Sequence, residues 1–112
     1  MTTQATARDT SRVRYVSPHA LPTPYERELL VILAEEAAEI IVAVSKLQRF
    51  GRDDGYPGTD RTNGRDLGFE LGDLEELIDR VVAAGLVSRA DIVAGKAQKA
   101  EKLSVYLQTS RE

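Results

Sequence analysis

The sequence predicts an all-α protein, a helical bundle completed by oligomerisation. Two observations carry the all-α part. Apolar residues recur with a helical period along three segments, and each segment opens on a capping residue. Between them lie clusters of Gly, Asp, Asn and Pro, and no stretch alternates apolar with polar residues as a half-buried strand does. A third observation, the shortness of the chain at 112 residues, points to association, because so small a domain buries only a modest core.

Residues 1–22 are rich in Thr, Ser, Arg and Pro without periodicity. They read as a flexible arm, which leaves 23–112 as one helical domain. "TPYE" then starts a helix: Thr23 caps it, Pro24 takes the first position, and Glu26 closes a capping box. The apolar pattern runs to Phe50 and Gly51 stops it, a helix of about 26 residues and close to 40 Å. Residues 51–64, "GRDDGYPGTDRTNG", form a loop of turn formers. The second helix is expected to open on Asn63 as its cap, with Asp66 in the first turn, and to stop at Gly85. Ser88, with Asp91 three residues on, caps a third helix from about Arg89 to Leu107.

Composition closes several routes. The chain is 42% hydrophobic and 29% charged, an ordinary globular mix. Its formal net charge of −3 leaves no basic footprint for a nucleic-acid polymer. Without cysteine, disulfides and thiolate metal sites are excluded. No apolar run approaches the roughly 20 residues of a membrane span, and the first residues lack a signal peptide's apolar core. A cytoplasmic protein is expected.

The acids are where the pattern turns unusual. At about 100° per residue, Leu29, Ile32, Ile40, Ala43 and Leu47 all fall within about 40° of Glu36. Glu39 lies roughly 60° to one side and Glu35 roughly 100°. The second helix repeats this in "FELGDLEELIDRV": Leu74, Leu77 and Val81 share the stripe with Glu70, and Asp73 borders it. Each helix therefore presents an acidic pair, at spacing i, i+3, on the face that should form the core. Uncompensated carboxylates there would cost many kcal/mol or take up protons. Neither stripe offers Lys or Arg beside them. Hard divalent cations, Mg²⁺ or Mn²⁺, compensate such oxygens, and Mg²⁺ keeps positions open for water and phosphate. The Glu-x-x-His pairs of di-iron bundles are missing, and the single histidine, His19, lies in the arm and reads as surface.

"EEAAE" (Glu35, Glu36, Glu39) followed by "ELGD" (Glu70, Asp73) resembles the EExxE…ExxD signature of the MazG-like all-α nucleoside triphosphate pyrophosphohydrolases. The likeness runs from about residue 25 to 107, through "NGRDLGFELGDLEELID" and "KAQKAEKLSVYL", and the chain is similar to small single-domain members often seen in phage and bacterial genomes. It implies Mg²⁺-dependent cleavage between the α- and β-phosphates of a (d)NTP, giving the (d)NMP and pyrophosphate. It implies Glu36, Glu39, Glu70 and Asp73 as metal ligands, with Glu35 beside the metals. Glu35 and Glu39 are both candidates for the general base. Lys96 and Lys99, with Lys102 next, are the positions matching the family's phosphate contacts on the later helix. The Lys-Asn pair and trailing arginines of many members are missing here. A base or sugar contact is implied for Asn63, a homodimer or homotetramer for the assembly, and the host cytoplasm for a phage-encoded member.

Such a reaction asks for positioning and electrostatics rather than a Ser or Cys nucleophile, and none is evident. Lys46, Arg49 and Arg52 near the end of the first helix complement its dipole, and Lys46 is the one best placed to reach a triphosphate. Tyr15 and Tyr56 are candidates for base stacking. Gly68 and Gly72 lie opposite Glu70, and Ala34, Ala38 and Ser45 away from the first helix's acids, so both helices are expected to pack on their far sides across a subunit interface. Two competing readings remain: a non-catalytic helical interaction or nucleotide-binding module, and a metal-dependent hydrolase of another phosphorylated small molecule.

Overall fold

The structure is a computed structural model that describes residues 21–109. The expected arm, with Tyr15 and His19, lies almost wholly outside the described residues. Three helices follow one another: α1 (Pro24–Phe50), α2 (Asn63–Ala83) and α3 (Arg89–Tyr106). The described residues contain no strand, so the all-α expectation holds. None of these helices is long and apolar enough to cross a membrane.

Each end has a local cause. Thr23 accepts from the Glu26 N–H at 3.1 Å while Glu26 accepts from the Thr23 N–H at 2.9 Å, closing the box ahead of α1. Gly51, at φ 91, ends α1 with its N–H on the Leu47 carbonyl. At the end of α2 the Gly85 N–H meets the Val82 carbonyl and the Leu86 N–H the Val81 carbonyl. With Gly85 at φ 79 this is the Schellman arrangement. Ser88 caps α3 through the Ala90 and Asp91 N–H groups.

One cap differs from expectation. Thr62, not Asn63, caps α2, accepting from the Arg65 N–H at 3.1 Å. Asn63 is occupied elsewhere: its N–H donates to the Asp54 carbonyl at 2.7 Å and its Nδ2 to the Gly51 carbonyl at 3.0 Å. A side chain turned back into the loop cannot also satisfy the first turn, so the preceding Thr takes that role.

The α1–α2 loop is a pinned hairpin. Gly55 and Thr62 form an isolated antiparallel bridge. The Tyr56 N–H donates to the Arg61 carbonyl, and the Gly64 N–H to the Arg52 carbonyl. A Cβ on Gly55 would stand 1.9 Å from the Arg61 oxygen, so this close approach needs glycine.

The loop returns the chain so that α1 and α2 pack antiparallel, the principal helix contact of the described residues. The predicted stripes meet: Leu29, Ala43 and Val81 are buried, and Ile32, Ile40, Leu47, Leu74 and Leu77 are half-buried. In contrast, α3 buries none of its residues. Its first turn is tied to α2 by Arg89 and Asp79 at 3.0 Å. A closed bundle is therefore not formed by one copy of the described chain.

Candidate metal centre

Antiparallel packing sets the middle of α1 against the middle of α2, and there the acids meet. One carboxylate oxygen from each of Glu36, Glu70 and Asp73 lies within 4.8 Å of the others. Glu36 and Glu70 are half-buried and Asp73 is exposed, as their places on and beside the stripes require. The three border an open cleft of about 510 Å³ that Glu35 and Glu39 also line.

Electrostatics single out Glu36. Its Oε1 is buried and has no hydrogen-bond partner. Burial first, then the Asp73 charge, Glu70 at hydrogen-bonding reach and Glu39, hold its carboxyl above the ordinary carboxylate range. Among the described residues no Lys or Arg forms an ion pair with any of the five acids; the pairs that exist use Asp53, Asp60, Asp66, Glu76 and Asp79. An orphaned oxygen amid an oxygen-only donor set fits a hard divalent cation.

Of the four expected ligands, three converge. Glu39 stands at the rim, exposed and outside the cluster, although it borders its stripe just as Asp73 does. It borders both the cleft and an adjoining cavity of about 380 Å³, which it shares with Glu70 and Lys46. Glu35 lines the cleft alone of the two.

The basic residues are arranged differently from the family pattern. Lys96, Lys99 and Lys102 are exposed on α3 and line neither the cleft nor the adjoining cavity. Their place beside the acids is taken by Arg61, in the loop, and Arg65, in the first turn of α2, neither of them among the expected phosphate contacts. A signal was available in "RTNGRDLGF": Arg61, Arg65 and Phe69 recur every four residues across the start of α2. Asn63, buried, lines a third cavity of about 260 Å³ with Phe50 and Tyr56.

The far faces of the helices are open. A Cβ on Gly68 or Gly72 would meet nothing within 4 Å. The chain matches no protein-family model, no curated protein and no solved structure.

Proposed function

We propose that this protein is a Mg²⁺-dependent hydrolase, with Mn²⁺ a possible substitute, that cleaves a (d)NTP to the (d)NMP and pyrophosphate. One observation carries the metal: the unpartnered, buried Oε1 of Glu36, a carboxylate that clusters with Glu70 and Asp73. The nucleotide substrate and the bond cleaved come from the resemblance to the MazG-like pyrophosphohydrolases.

Glu36, Glu70 and Asp73 would hold the metal, with Glu39 completing the set from the rim. A bound divalent ion supplies charge neutralisation and a more acidic water to phosphoryl chemistry. Glu35, which lines the cleft and is not one of those four ligands, would orient and deprotonate that water. Lys46 lines the adjoining cavity and offsets phosphate charge.

The working unit is a homodimer or homotetramer. Supporting this, Val31, Ile41, Val42, Phe69 and Leu71 are exposed, while among the described residues only Leu29, Ala43 and Val81 are buried hydrophobic residues. A fully buried aliphatic side chain contributes about 1.5–3 kcal/mol, against about 1–2 kcal/mol of backbone entropy for every residue ordered. The radius of gyration of 20.3 Å also exceeds the roughly 13 Å of a compact chain of this length.

The test is pyrophosphate release from a panel of ribo- and deoxyribonucleotides with Mg²⁺ or Mn²⁺. Monophosphate plus pyrophosphate, lost in Glu36→Gln and Asp73→Asn, is the expected result. Equal inertness of wild type and variants would overturn it and leave a metal site in a binding protein.

A further inference from the structure

We propose that Arg61 and Arg65 receive the substrate's phosphate chain in the cavity adjoining the carboxylate cluster, a role that rests on the hydrolase reading above. Both guanidinium groups line that cavity with Lys46. Each is held on an aromatic ring: Arg61 lies 4.4 Å from the Tyr56 ring centre and Arg65 5.1 Å from that of Phe69. Stacking fixes the plane of a guanidinium, and a fixed fork is what bidentate phosphate recognition uses.

Their hydrogen-bonding capacity is only partly spent. Arg61 directs Nε and Nη2 to Asp66, at 3.4 and 3.1 Å, and Arg65 directs Nη1 to Asp60 at 3.0 Å. A guanidinium carries five N–H donors, so each arginine keeps others for a ligand. The Arg65–Asp60 pair is solvent-exposed, the kind that contributes little and exchanges readily, whereas Asp66 of the other pair is half-buried. Asp66 also orients Arg61 from within the cavity, and the peptide of Arg61 is pinned by the hairpin at Gly55 and Tyr56.

Charge ties this cavity to the metal. Lys46, Arg61 and Arg65 oppose Glu39, Asp66 and Glu70, so the lining is formally neutral. A divalent ion held by the cluster would offset the charge of the shared Glu70 and leave the three cations in excess within this cavity. Phosphate binding is therefore stronger with the metal present.

Isothermal calorimetry with inorganic triphosphate, on the full chain with and without Mg²⁺, tests this without turnover. Arg61→Ala and Arg65→Ala should each weaken Mg²⁺-dependent triphosphate binding about 10-fold or more. Mg²⁺ affinity should hold, and Arg61→Lys and Arg65→Lys should recover only part of the loss. Arg89→Ala, which removes the same charge far from the cavity, should change it less than about 2-fold. In turnover, KM rather than Mg²⁺ dependence should move. Arg65 holds no backbone group, so its variants probe the cavity with the hairpin intact.

Triphosphate binding lost in Lys96→Ala or Lys99→Ala but retained in both arginine variants would overturn the assignment. So would nucleotide turnover with unchanged KM in both arginine variants, which would leave the hydrolase reading standing. A wild type that turns over no nucleotide yet binds triphosphate through both arginines would sink hydrolysis and keep the phosphate site.

Discussion

Glu36 and Glu70 come from facing turns of antiparallel helices, and their carboxylate oxygens lie within 4.8 Å of each other and of Asp73. Like charges this close, with Glu36 Oε1 buried and unpartnered, make the bare carboxylate cluster an unfavourable one.

The first prediction follows from that relationship. Glu36→Gln should raise the melting temperature of the metal-free protein, because it removes a half-buried charge from beside two others. It should also abolish stabilisation by Mg²⁺, which for wild type at a hundredfold excess over Kd is about 2.7 kcal/mol. Thermal melts with EDTA and with Mg²⁺ check both signs. A variant less stable than wild type in EDTA would contradict the picture of an uncompensated acid.

Acidity gives a second prediction. Because the folded pKa of Glu36 is raised, the native state takes up a proton more readily than the unfolded chain. Its contribution to metal-free stability is full below the ordinary value of 4.5 and is lost as pH rises through the raised one. Metal affinity runs the other way, falling as pH drops through the same window, since proton and metal compete for one carboxylate. Urea midpoints across pH, wild type minus Glu36→Gln, isolate the effect: the difference should shrink on acidification in EDTA.

Asn63 yields a third. Its Nδ2 donates to the carbonyl of Gly51, the residue that ends α1. Asn63→Ala should cost about 0.5–1.5 kcal/mol as a lost hydrogen bond, since the exposed Gly51 carbonyl turns to water. Thr62→Ala should cost about 1 kcal/mol as a lost helix cap. Chemical denaturation of both would rank them, and a neutral Asn63→Ala would mean that the loop is tied by other bonds.

The assembly supplies a fourth. Within one chain, Gly68 and Gly72 face open space, so Ala at each should stabilise α2 by about 1 kcal/mol. If these faces meet a second copy, Leu at either position should instead weaken the oligomer. Sedimentation velocity over a dilution series distinguishes the two. A wild type that stays monomeric at every concentration would remove the homo-oligomer.

Helix bounds were legible in the sequence because they depend on groups a few residues apart. Thr23 with Glu26, Gly51, Gly85 and Ser88 each act within one turn, and their roles were readable from spacing alone. Glu36 was equally legible, since its place in the apolar stripe follows from helical period. The cap of α2 was misassigned because Asn63 answers to Gly51 and Asp54 across the loop, and distant backbone leaves no trace in local spacing.

Which acids converge was decided by tertiary structure. Periodicity put Glu39 and Asp73 on equivalent borders of their stripes. Only the packing of α1 on α2 brought Asp73 into the cluster and left Glu39 at the rim. The same holds for the cations. Lys96 and Lys99 depend on where α3 goes, and α3 buries nothing in this chain, whereas Arg61 and Arg65 are carried to the site by the hairpin. Helix ends and faces are set by bonds and rotations within a turn, so the sequence by itself determined them. Meeting points between helices are set by the loop that aligns them, and that alignment exists only once the chain has folded.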